Sequence, residues 1–559
     1  MQKRWLNEYP EGVPGEINLS EFQNLIEMFN SCFQKFSHLS AYSNMGETLT
    51  FSQVDHLSTQ FASYLQNHLH LKKGDRVAIM LPNILQYPIC LFGILKAGLV
   101  VVNVNPLYTA YELEHQLTDS GAKAIIILEN FAHVLESVLA KTTVNFIITT
   151  QLADLLPFPK KQIINAALKY IKKMIPKWTI PGSISLNQAL IIGKTGNYVS
   201  PKITHDDLAF LQYTGGTTGI SKGAMLSHGN ILANLLQIKA WIDPFVETGK
   251  EKVLTPLPLY HIFSLSANLL TFCLLGGELI LITNPRDISA FIKKMKKTEF
   301  SILTGVNTLF NALVNHSQFK EIDFSKLKFS IGGGMAVQEE VAKSWQNITQ
   351  SPLIEGYGLT ESSPVASVNP INMKAYNKSI GLPLPSTELS IQNNAGKILK
   401  QGEIGEVCIR GPQVMKGYWN RVEATAEVIN EDGWLKTGDI GKMDEKGYFY
   451  IVDRKKDMIL VSGFNVFPNE IEEVAVKHPD ILEAAAIGMP HSHSGEVVML
   501  VCVRKTNTVS ERELIDHCRQ FLTNYKIPRS VKFVDELPKS NVGKILRRIV
   551  RENELKKIK

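Results

Sequence analysis

The sequence predicts a multidomain protein that combines α/β and α+β folds, with a large N-terminal domain and a small, mobile α+β C-terminal domain. At 559 residues and 44% hydrophobic content, the chain is too long for a single hydrophobic core. Helical and strand patterns alternate over residues 50–150 and again from 208 to about 371, which indicates largely parallel sheets in α/β subdomains. Short strands separated by glycines over residues 381–452 indicate a β-rich subdomain.

The spacing of apolar residues predicts the individual elements of the first α/β segment. Apolar residues recur at helical spacing in three stretches, which are 52–67, 85–96 and 113–120. Short runs of branched apolar residues predict three strands in this segment, at 76–80, 100–104 and 124–127, and a buried strand at 208–212 opens the second α/β segment. Helices between successive strands favour a parallel arrangement of those strands in one sheet.

The C-terminal part of the chain differs in composition after the charged run Asp453-Arg-Lys-Lys-Asp457. Its patterns predict two strands and one helix of a small α+β unit, at 483–487, 497–504 and 511–522. The expected N-terminal domain, its β-rich subdomain, the hinge and the C-terminal domain cover residues 1–452, about 381–452, 453–457 and 458–559.

Composition and charge argue against several classes of protein. The net charge of +6 is modest, and it fits an ordinary solvated surface as well as an enzyme with anionic substrates. The six cysteines are scattered without a CxxC pair or a histidine cluster, so we expect neither disulfides nor zinc, as in a reducing cytosol. The N-terminal residues lack the apolar core of a signal peptide. Lys96 and Gly276-Gly-Glu278 interrupt the two most apolar stretches, so neither is expected to span a bilayer.

The segment 155–180 is basic and amphipathic. It contains six lysines and no acidic residue, and Phe158, Tyr170 and Trp178 add aromatic side chains. Seven apolar residues share one face if the segment is helical: Ile163, Ile164, Ala167, Leu168, Ile171, Met174 and Ile175. Such a helix suits a membrane interface, and it also suits a surface helix that packs on the core with its lysines in water.

A glycine- and threonine-rich run, Tyr213-Thr-Gly-Gly-Thr-Thr-Gly-Ile-Ser-Lys222-Gly223, follows a predicted buried strand and indicates a phosphate-binding loop. Its glycines let backbone N–H groups surround phosphate oxygens, its hydroxyls add donors, and Lys222 adds positive charge. It is not a Walker A loop, because Ser221 precedes the lysine and Gly223 follows it. Taken alone, an ordinary flexible loop would have the same composition.

Six further motifs follow this loop along the chain. They are Pro258-Leu-Tyr-His261, Gly332-Gly-Gly-Met335, Glu355-Gly-Tyr-Gly-Leu-Thr-Glu361, Gly433-Trp-Leu-Lys-Thr-Gly-Asp439, Asp453-Arg-Lys-Lys-Asp457 and Pro538-Lys-Ser-Asn-Val-Gly-Lys544. Their order resembles that of the adenylate-forming, AMP-binding superfamily, and the resemblance covers nearly the whole chain. Three stretches, 91–107, 282–313 and 453–472, especially resemble bacterial long-chain-fatty-acid–CoA ligases. The resemblance implies that ATP activates a fatty acid as an acyl-adenylate with release of pyrophosphate, and that the acyl group then passes to coenzyme A.

The resemblance also implies which residues hold ATP and its metal ion. The implied ATP-binding residues are Tyr213, Thr214, Gly215, Gly216, Thr217, Thr218, Gly219, Lys222, Gly333, Gly334, Gly356, Tyr357, Gly358, Thr360, Asp439, Arg454 and Lys456. Asp439 would accept both ribose hydroxyls, since a carboxylate suits a vicinal diol, and Tyr357 would pack beside adenine. Thr214 and Glu361 would hold a Mg²⁺ ion that is bound together with ATP.

Three catalytic residues are implied in the same way, namely Lys544, His261 and Glu361. The ammonium of Lys544 would bridge the substrate carboxylate and the α-phosphate, although a basic solvated tail would have the same local composition. His261 would border the acyl site, whereas an isolated histidine in an apolar run is ordinarily a core residue. One type of long-chain relative has a tryptophan gate four residues after this histidine; that position is Leu265 here, and the gate is not expected.

The second step of the implied reaction requires the C-terminal domain to rotate at Asp453. The rotation would withdraw Lys544 and bring Ser462, Gly463 and Phe464 toward the pantetheine arm of coenzyme A. Gly463 would permit close approach of the backbone to that arm. Hinge residues absorb changes in backbone angles, so a proline at position 453 should impair this step more than the first.

Other functions share parts of this pattern. A stand-alone acyl-AMP ligase that loads a carrier protein would share the first step, and only the formation of free acyl-CoA distinguishes the two. A non-catalytic nucleotide sensor on a membrane surface would lack charges that are all present here, at Lys222, Glu361, Asp439, Arg454 and Lys544. Nucleic-acid binding is not expected, because no reading helix or RNA-binding platform accompanies the lysines of 155–180.

The expected protein is a cytoplasmic enzyme that associates peripherally with the inner face of the cell membrane. Its expected partners are ATP, a fatty acid, coenzyme A and the membrane surface, and a homodimer is an assembly that the sequence leaves open. The length of the acyl chain depends on the depth of a tunnel, which the sequence pattern does not reveal.

Overall fold

The computed structural model describes residues 3–214, 221–491, 493–506, 508–540 and 543–558. Numbered along the chain, the strands are β1 (Ser40–Asn44), β2 (Glu47–Thr50), β3 (Arg76–Met80), β4 (Val100–Asn103), β5 (Ala124–Leu128), β6 (Phe146–Thr150), β7 (Ile184–Ser185), β8 (Leu208–Thr214), β9 (Lys222–Ser227), β10 (Lys252–Thr255), β11 (Glu278–Leu281), β12 (Ile302–Gly305), β13 (Phe329–Gly332), β14 (Leu353–Gly358), β15 (Val365–Val368), β16 (Leu382–Pro383), β17 (Glu388–Gln392), β18 (Gly405–Arg410), β19 (Leu435–Met443), β20 (Phe449–Arg454), β21 (Ile459–Val461), β22 (Phe464–Val466), β23 (Ile481–His491), β24 (Gly495–Arg504) and β25 (Ser530–Phe533). The α-helices are α1 (Leu25–Lys35), α2 (Phe51–Asn67), α3 (Gln86–Lys96), α4 (Ala110–Ser120), α5 (Ala132–Val138), α6 (Lys160–Ala166), α7 (Leu186–Lys194), α8 (His228–Ile242), α9 (Thr271–Leu275), α10 (Ile288–Met295), α11 (Asn307–Val314), α12 (Glu339–Thr349), α13 (Val422–Val428), α14 (Pro468–Val476), α15 (Glu511–Arg519) and α16 (Arg547–Ile558).

The first α/β subdomain is built on a seven-stranded sheet with the order β7-β6-β5-β3-β4-β8-β9 among the described residues. The strands run parallel except for β9, which pairs antiparallel with β8. Residues 215–221 of the predicted phosphate-binding loop connect this antiparallel pair. The loop therefore begins and ends at the same edge of the sheet.

The second α/β subdomain is built on a nine-stranded sheet with the order β16-β15-β14-β13-β12-β10-β11-β1-β2 in the same described part of the chain. Its central strands are parallel, and its two ends are closed by antiparallel strands, with β2 at one end and β15 and β16 at the other. The parallel centre and the surrounding helices agree with the α/β pattern that the sequence predicts.

Helices fill the space between these two sheets. Val77 on β3 and Val253 on β10 belong to one buried cluster, together with residues of α1, α2, α3 and α8. Ala78, the next residue of β3, contributes to a separate cluster on the opposite face, which α4 and α5 cover. Successive side chains of a strand point to opposite faces, so both faces of the seven-stranded sheet are buried.

The long apolar stretches of the sequence belong to this interior. Every residue of α3 is buried, and the buried ammonium of Lys96 is paired with Asp55 and bonded to Thr59 at 2.9 Å. The second stretch forms the π-helical segment Ser264–Leu270, followed by α9 and β11. None of the helices in the described residues combines the length and the apolar content that a bilayer crossing requires.

The β-rich subdomain and the C-terminal domain follow the two large sheets. Strands β17, β18, β19 and β20 form an antiparallel sheet. The C-terminal sheet contains β21 to β25, with α14 and α15 packed on one face and α16 on the other. The fold class predicted from the sequence is confirmed. The proposed boundaries at 452 and 457 stay predictions, and β20 extends through Arg454, so the sheet includes the start of the expected hinge.

The prediction of one long amphipathic helix in residues 155–180 is wrong. An α-helix forms only at Lys160–Ala166, and a wider π-helical turn continues it through Ile171. Lys173 has φ 50°, and Pro176 follows, so the chain cannot continue the helical path that the apolar spacing suggested. The segment is therefore a short helix followed by an irregular connection.

Candidate active site

The predicted phosphate-binding loop begins where β8 ends. Thr214 is the last residue of β8 and pairs with Lys222 at the start of β9. The Tyr213 hydroxyl donates to Asp119 at 2.7 Å, and Asp119 also accepts from Arg421 at 2.6 Å. The strand pair thus holds both flanks of the loop, and Asp119 of α4 holds Tyr213 beside it. The predicted ATP contacts within the loop lie outside the described residues: Gly215, Gly216, Thr217, Thr218 and Gly219.

Tyr418 lies between the predicted magnesium ligand and the predicted phosphate-binding lysine. Its hydroxyl donates to Glu361 Oε1 at 2.6 Å. Lys222 Nζ lies 5.2 Å from the centre of the Tyr418 ring, which is within the range of a cation–π interaction. The Trp419 N–H donates to the Gly223 carbonyl at 2.8 Å, so this segment runs beside β9. Tyr418 therefore connects Glu361 to the phosphate-binding strand pair.

The predicted ribose carboxylate, Asp439, is only 4% exposed and lines an open cleft. The Tyr357 hydroxyl donates to Asp439 Oδ2 at 2.7 Å, and Arg454 Nε lies 3.3 Å from Oδ1. A carboxylate has further lone pairs, so these contacts orient Asp439 and leave it able to accept from a diol. The other residues that line the cleft are Thr437, Gly438, Lys455 and Lys456. Four of the predicted nucleotide contacts thus come together here.

The motif Glu355–Glu361 begins in β14, a strand of the nine-stranded sheet, and ends near the cleft. Gly356, Tyr357 and Gly358 end the strand, and Thr360 and Glu361 form the 3₁₀ turn that follows. A Cβ atom on Gly358 would lie 1.9 Å from a backbone carbonyl oxygen, so no larger residue fits there. This turn delivers Glu361 to Tyr418.

The glycine motif and the histidine motif are in direct contact. A Cβ atom on Gly333 would lie 3.1 Å from the Phe263 ring, and Gly334 has φ +75°, which favours glycine. The Phe263 N–H donates to His261 Nδ1 at 3.3 Å. Because Nδ1 accepts this bond, the neutral ring carries its proton on Nε2.

Lys544, in the C-terminal domain, lies within electrostatic range of the cleft residues Asp439 and Arg454. Burial and the positive charge of Arg454 lower the pKa of Lys544 to about 7, although Asp439 and Asp457 oppose this shift. Burial and the charge of Lys544 lower the pKa of His261 to about 4, so its imidazole is neutral at pH 7. The structure therefore brings together residues from four predicted motifs, in the orientation that inserts Lys544.

The predicted hinge residue, Asp453, is fully buried and bound by groups of the C-terminal domain. Its Oδ2 accepts from the Asn469 N–H at 2.7 Å, and its Oδ1 lies 3.3 Å from Arg547 Nη1. Arg547 also contacts Asp457 at 3.2 Å and Glu472 at 2.6 Å. Burial raises the pKa of Asp453 to about 6, although Arg547 opposes the shift. Arg547 thus ties the segment of the predicted catalytic lysine to the predicted hinge.

The predicted coenzyme A residues occupy the turn between β21 and β22. The Ser462 N–H donates to the Ser494 carbonyl at 2.8 Å, and Gly463 has φ +84°. Phe464 is exposed on one side and stacks on Tyr525, with ring centres 4.7 Å apart. These described contacts all lie within the C-terminal domain. In this orientation the residues predicted for the first step lie close together, whereas the contacts given above for the predicted coenzyme A residues stay within the C-terminal domain.

The predicted metal site offers a single carboxylate. Within the ranges that the structure describes, no three His, Cys, Asp or Glu residues cluster as they would around a protein-bound metal. Mg²⁺ commonly takes one or two carboxylates and completes its shell with phosphate oxygens and water. Glu361, oriented by Tyr418 beside Lys222, fits a Mg²⁺ ion that arrives with nucleotide phosphates.

Three residues of this region were not selected from the sequence. Arg547 lies three residues after Lys544. Glu355 opens the β14 motif; it bonds to Tyr376 at 2.8 Å, and burial raises its pKa to about 8. For these two, proximity to a motif was an available signal. Tyr418 had no such signal, because no spacing in the sequence links it to Glu361.

Asp439 and Arg454 line one cleft, and Lys544 of the C-terminal domain lies within electrostatic range of both. Together with the two α/β sheets and the small C-terminal domain, this arrangement of predicted site residues is that of an adenylate-forming enzyme. The family model of the AMP-binding enzyme matches residues 29–419, and that of the AMP-binding enzyme C-terminal domain matches residues 470–544. Long-chain-fatty-acid–CoA ligases from Escherichia coli O157:H7 and Bacillus subtilis are 54% and 40% identical, over 100% and 99% of this chain and 99% and 98% of theirs. The chain therefore belongs to the AMP-binding enzyme family, among its long-chain-fatty-acid–CoA ligases.

A solved structure supports the fold and the arrangement of the two domains. ATP-bound MatB from Rhodopseudomonas palustris is 28% identical, with a TM-score of 0.82 over 96% of this chain and 100% of that chain. The similarity thus extends through the nucleotide cleft and the C-terminal domain.

Proposed function

We infer that this enzyme uses ATP to join a long-chain fatty acid to AMP, releases pyrophosphate, and then transfers the acyl group to coenzyme A. The observation that carries the inference is that Asp439 and Arg454 pair in one cleft while Lys544 of the C-terminal domain lies within electrostatic range of both, so residues of three motifs and two domains come together. A carboxylate is a poor acylating agent because its leaving group would be an oxide, whereas AMP leaves readily. The full-length similarity to long-chain-fatty-acid–CoA ligases supports a fatty acid as the substrate.

In the proposed first step, a carboxylate oxygen attacks the α-phosphate in line, and pyrophosphate departs. Two anions meet, so the enzyme must supply positive charge and alignment. Lys544 bridges the carboxylate and the α-phosphate, and Lys222 faces the departing phosphates. Asp439 and Arg454 hold the ribose. A Mg²⁺ ion bound at Glu361 would neutralise further phosphate charge.

His261 borders the acyl group in this proposal. Its neutral ring adds no charge beside Lys544, and its Nε2–H faces away from the bond that Phe263 makes to Nδ1. A neutral donor at this place can orient the bound carboxyl group without competing with the ammonium for the negative charge.

In the proposed second step, the C-terminal domain rotates about Asp453. Lys544 leaves the cleft, and Ser462, Gly463 and Phe464 approach the pantetheine arm. The thiol sulfur of coenzyme A attacks the acyl carbon and a C–S bond forms. The bond between the acyl carbon and the phosphate oxygen breaks, AMP departs with its electrons, and the thiol proton is released to water. The exposed ring of Phe464 supports this role, because an unburied aromatic side chain is available to contact the cofactor.

The reaction is tested with purified enzyme, ATP, Mg²⁺, coenzyme A and acids of two to eighteen carbons. We expect pyrophosphate, AMP and acyl-CoA in equal amounts. Each methylene buried in the acyl site contributes about 0.8 kcal/mol, so kcat/KM should rise about fourfold per methylene until the site is full. Acyl-AMP without thioester would instead support the carrier-loading alternative, and a preference for acids of two to four carbons would contradict the long-chain assignment.

We also propose that the segment 155–180 binds the membrane surface and receives the fatty acid there. Leu155, Leu156, Trp178 and Ile180 at the two ends of the segment pack on the core. Five apolar side chains between them are between 53% and 82% exposed, namely Phe158, Ile163, Tyr170, Ile171 and Met174. Lys160 pairs with Glu47 and Lys161 pairs with Asp154, while further exposed lysines surround the apolar side chains. Exposed apolar residues among lysines suit an anionic bilayer.

Replacing Ile163 and Ile171 with serine is expected to reduce flotation of the enzyme with phosphatidylglycerol-containing vesicles by about tenfold or more. The double replacement Ile404→Ser/Val422→Ser is the matched control, because it removes two exposed apolar residues from the β-rich subdomain. Activity on fatty acid dissolved in detergent should not change in either variant. Equal flotation of both variants and the unmodified enzyme would remove the membrane proposal.

A further inference from the structure

Helix α11 of the N-terminal domain presents a polar face to the C-terminal domain. The Thr308 hydroxyl donates to the Gly543 carbonyl at 2.9 Å, and Asn311 Nδ2 donates to the Leu482 carbonyl at 3.1 Å. Residues three apart lie on the same side of a helix, so one helix face makes both contacts. Both acceptors are backbone carbonyls of the other domain.

The amide of Asn311 is fixed in the orientation that this contact requires. Asn311 is 8% exposed. Asn315, one turn further along α11, donates to Asn311 Oδ1 at 2.8 Å. Because the oxygen of the amide accepts this bond, the nitrogen must face the Leu482 carbonyl. The donor is thus pre-oriented by its own helix.

The backbone of Gly543 lies directly on Thr308. Gly543 has φ +82°, and a Cβ atom there would lie 2.6 Å from Thr308 Oγ1. Gly543 immediately precedes Lys544, and Leu482 packs in the same hydrophobic cluster as Ile545, which follows Lys544. Both acceptor carbonyls therefore belong to the C-terminal domain, which also carries Lys544.

We propose that Thr308 and Asn311 are positioning residues that hold the C-terminal domain in the orientation that inserts Lys544, and so favour acyl-AMP formation over acyl transfer. The proposal rests on the proposed role of Lys544 in the first step. Gly543 must move with Lys544 when the domain rotates, so the bond from Thr308 exists only in the first-step orientation. The exposed interdomain pair Lys378–Glu473, at 3.1 Å, is expected to contribute much less.

The test compares the two half-reactions in the variant Thr308→Val/Asn311→Leu, which removes both donors at nearly constant volume. Acyl-AMP formation is measured as pyrophosphate release from palmitate and ATP in a single turnover. Acyl transfer is measured with supplied palmitoyl-AMP and coenzyme A. We expect the first rate to fall about tenfold or more and the second to be unchanged or faster.

Two variants separate positioning from loss of structure. Thr118→Val is the matched control, because the Thr118 hydroxyl on α4 also donates to a carbonyl of another segment, that of Lys141, within the N-terminal domain. Thr308→Ser/Asn311→Leu keeps one hydroxyl and should recover part of the first rate. Equal loss in both half-reactions, or no loss in the first, would overturn the positioning role. If the unmodified enzyme released no pyrophosphate from palmitate and ATP, the proposed function itself would fail instead.

Discussion

Replacing Lys544 with alanine is expected to slow acyl-AMP formation by about 10²–10³-fold, while supplied acyl-AMP is still converted to acyl-CoA. Lys544 is partly buried and lies within electrostatic range of Arg454 and Asp439, so its charge is partly withdrawn from water. A charge of this kind acts on the anions of the transition state far more strongly than it would in solvent. Single-turnover pyrophosphate release and thioester formation measure the two steps separately.

The pH dependence of the same step gives an independent check. The pKa of Lys544 is lowered from 10.5 to about 7, so the ammonium is present below pH 7 and is lost as the pH rises through that value. We expect kcat/KM for acyl-AMP formation to decline over this range, since that quantity reports groups of the free enzyme. Lys556→Ala is the control, because the Lys556 side chain is exposed on α16, and it should leave both steps unchanged. Equal loss of both steps in Lys544→Ala would contradict a role confined to the first.

The chemistry of the site was predictable because each motif is local. A glycine-rich loop after a strand, a Thr-Glu pair after Gly-Tyr-Gly, and a lysine after Val-Gly each specify a group and its backbone environment within a few residues. The alternation of strands and helices likewise predicted both parallel sheets. Side chains whose position depends on contacts between segments far apart in the sequence were not predictable in this way. Tyr418 meets Glu361 from 57 residues away, and only the contact of its segment with β9 brings it there.

In the segment 155–180, the periodic spacing of apolar residues predicts a longer helix than the structure contains. The spacing continues to Ile175, but Lys173 takes a left-handed conformation, and the Met174 N–H bonds back to the Leu168 carbonyl at 2.9 Å. Pro176 disfavours helical angles at the residue before it. The apolar residues that follow Ile171 therefore leave the helix: Met174 is exposed, whereas Trp178 and Ile180 pack on the core.

No single sequence motif predicts the relative orientation of the two domains. It depends on contacts such as that between Thr308 and Gly543, which join residues 235 positions apart. A few neutral hydrogen bonds are each worth about 1 kcal/mol, so two orientations of similar free energy are compatible with one sequence. A small difference in free energy between the two orientations allows the enzyme to adopt both within one catalytic cycle.

Replacing Asp453 with proline is expected to reduce acyl transfer to coenzyme A by about tenfold or more beyond any loss of acyl-AMP formation. Proline fixes φ near −65°, whereas a hinge residue must change its backbone angles when the domain rotates. The side chain complicates this experiment, because the buried carboxylate of Asp453 also accepts from the Asn469 N–H and contacts Arg547. Both half-reactions are measured as for Lys544→Ala.

Asp453→Asn separates the two effects, because it removes the charge beside Arg547 and leaves the backbone free to rotate. Arg547 keeps its 2.6 Å contact with Glu472 in that variant, so the C-terminal domain retains its main ion pair. Losses common to both variants then belong to the buried carboxylate, and the additional loss of acyl transfer in Asp453→Pro belongs to the hinge. If Asp453→Pro and Asp453→Asn slowed the two steps alike, the rotation would have to take place elsewhere, and the expected hinge at 453–457 would be wrong.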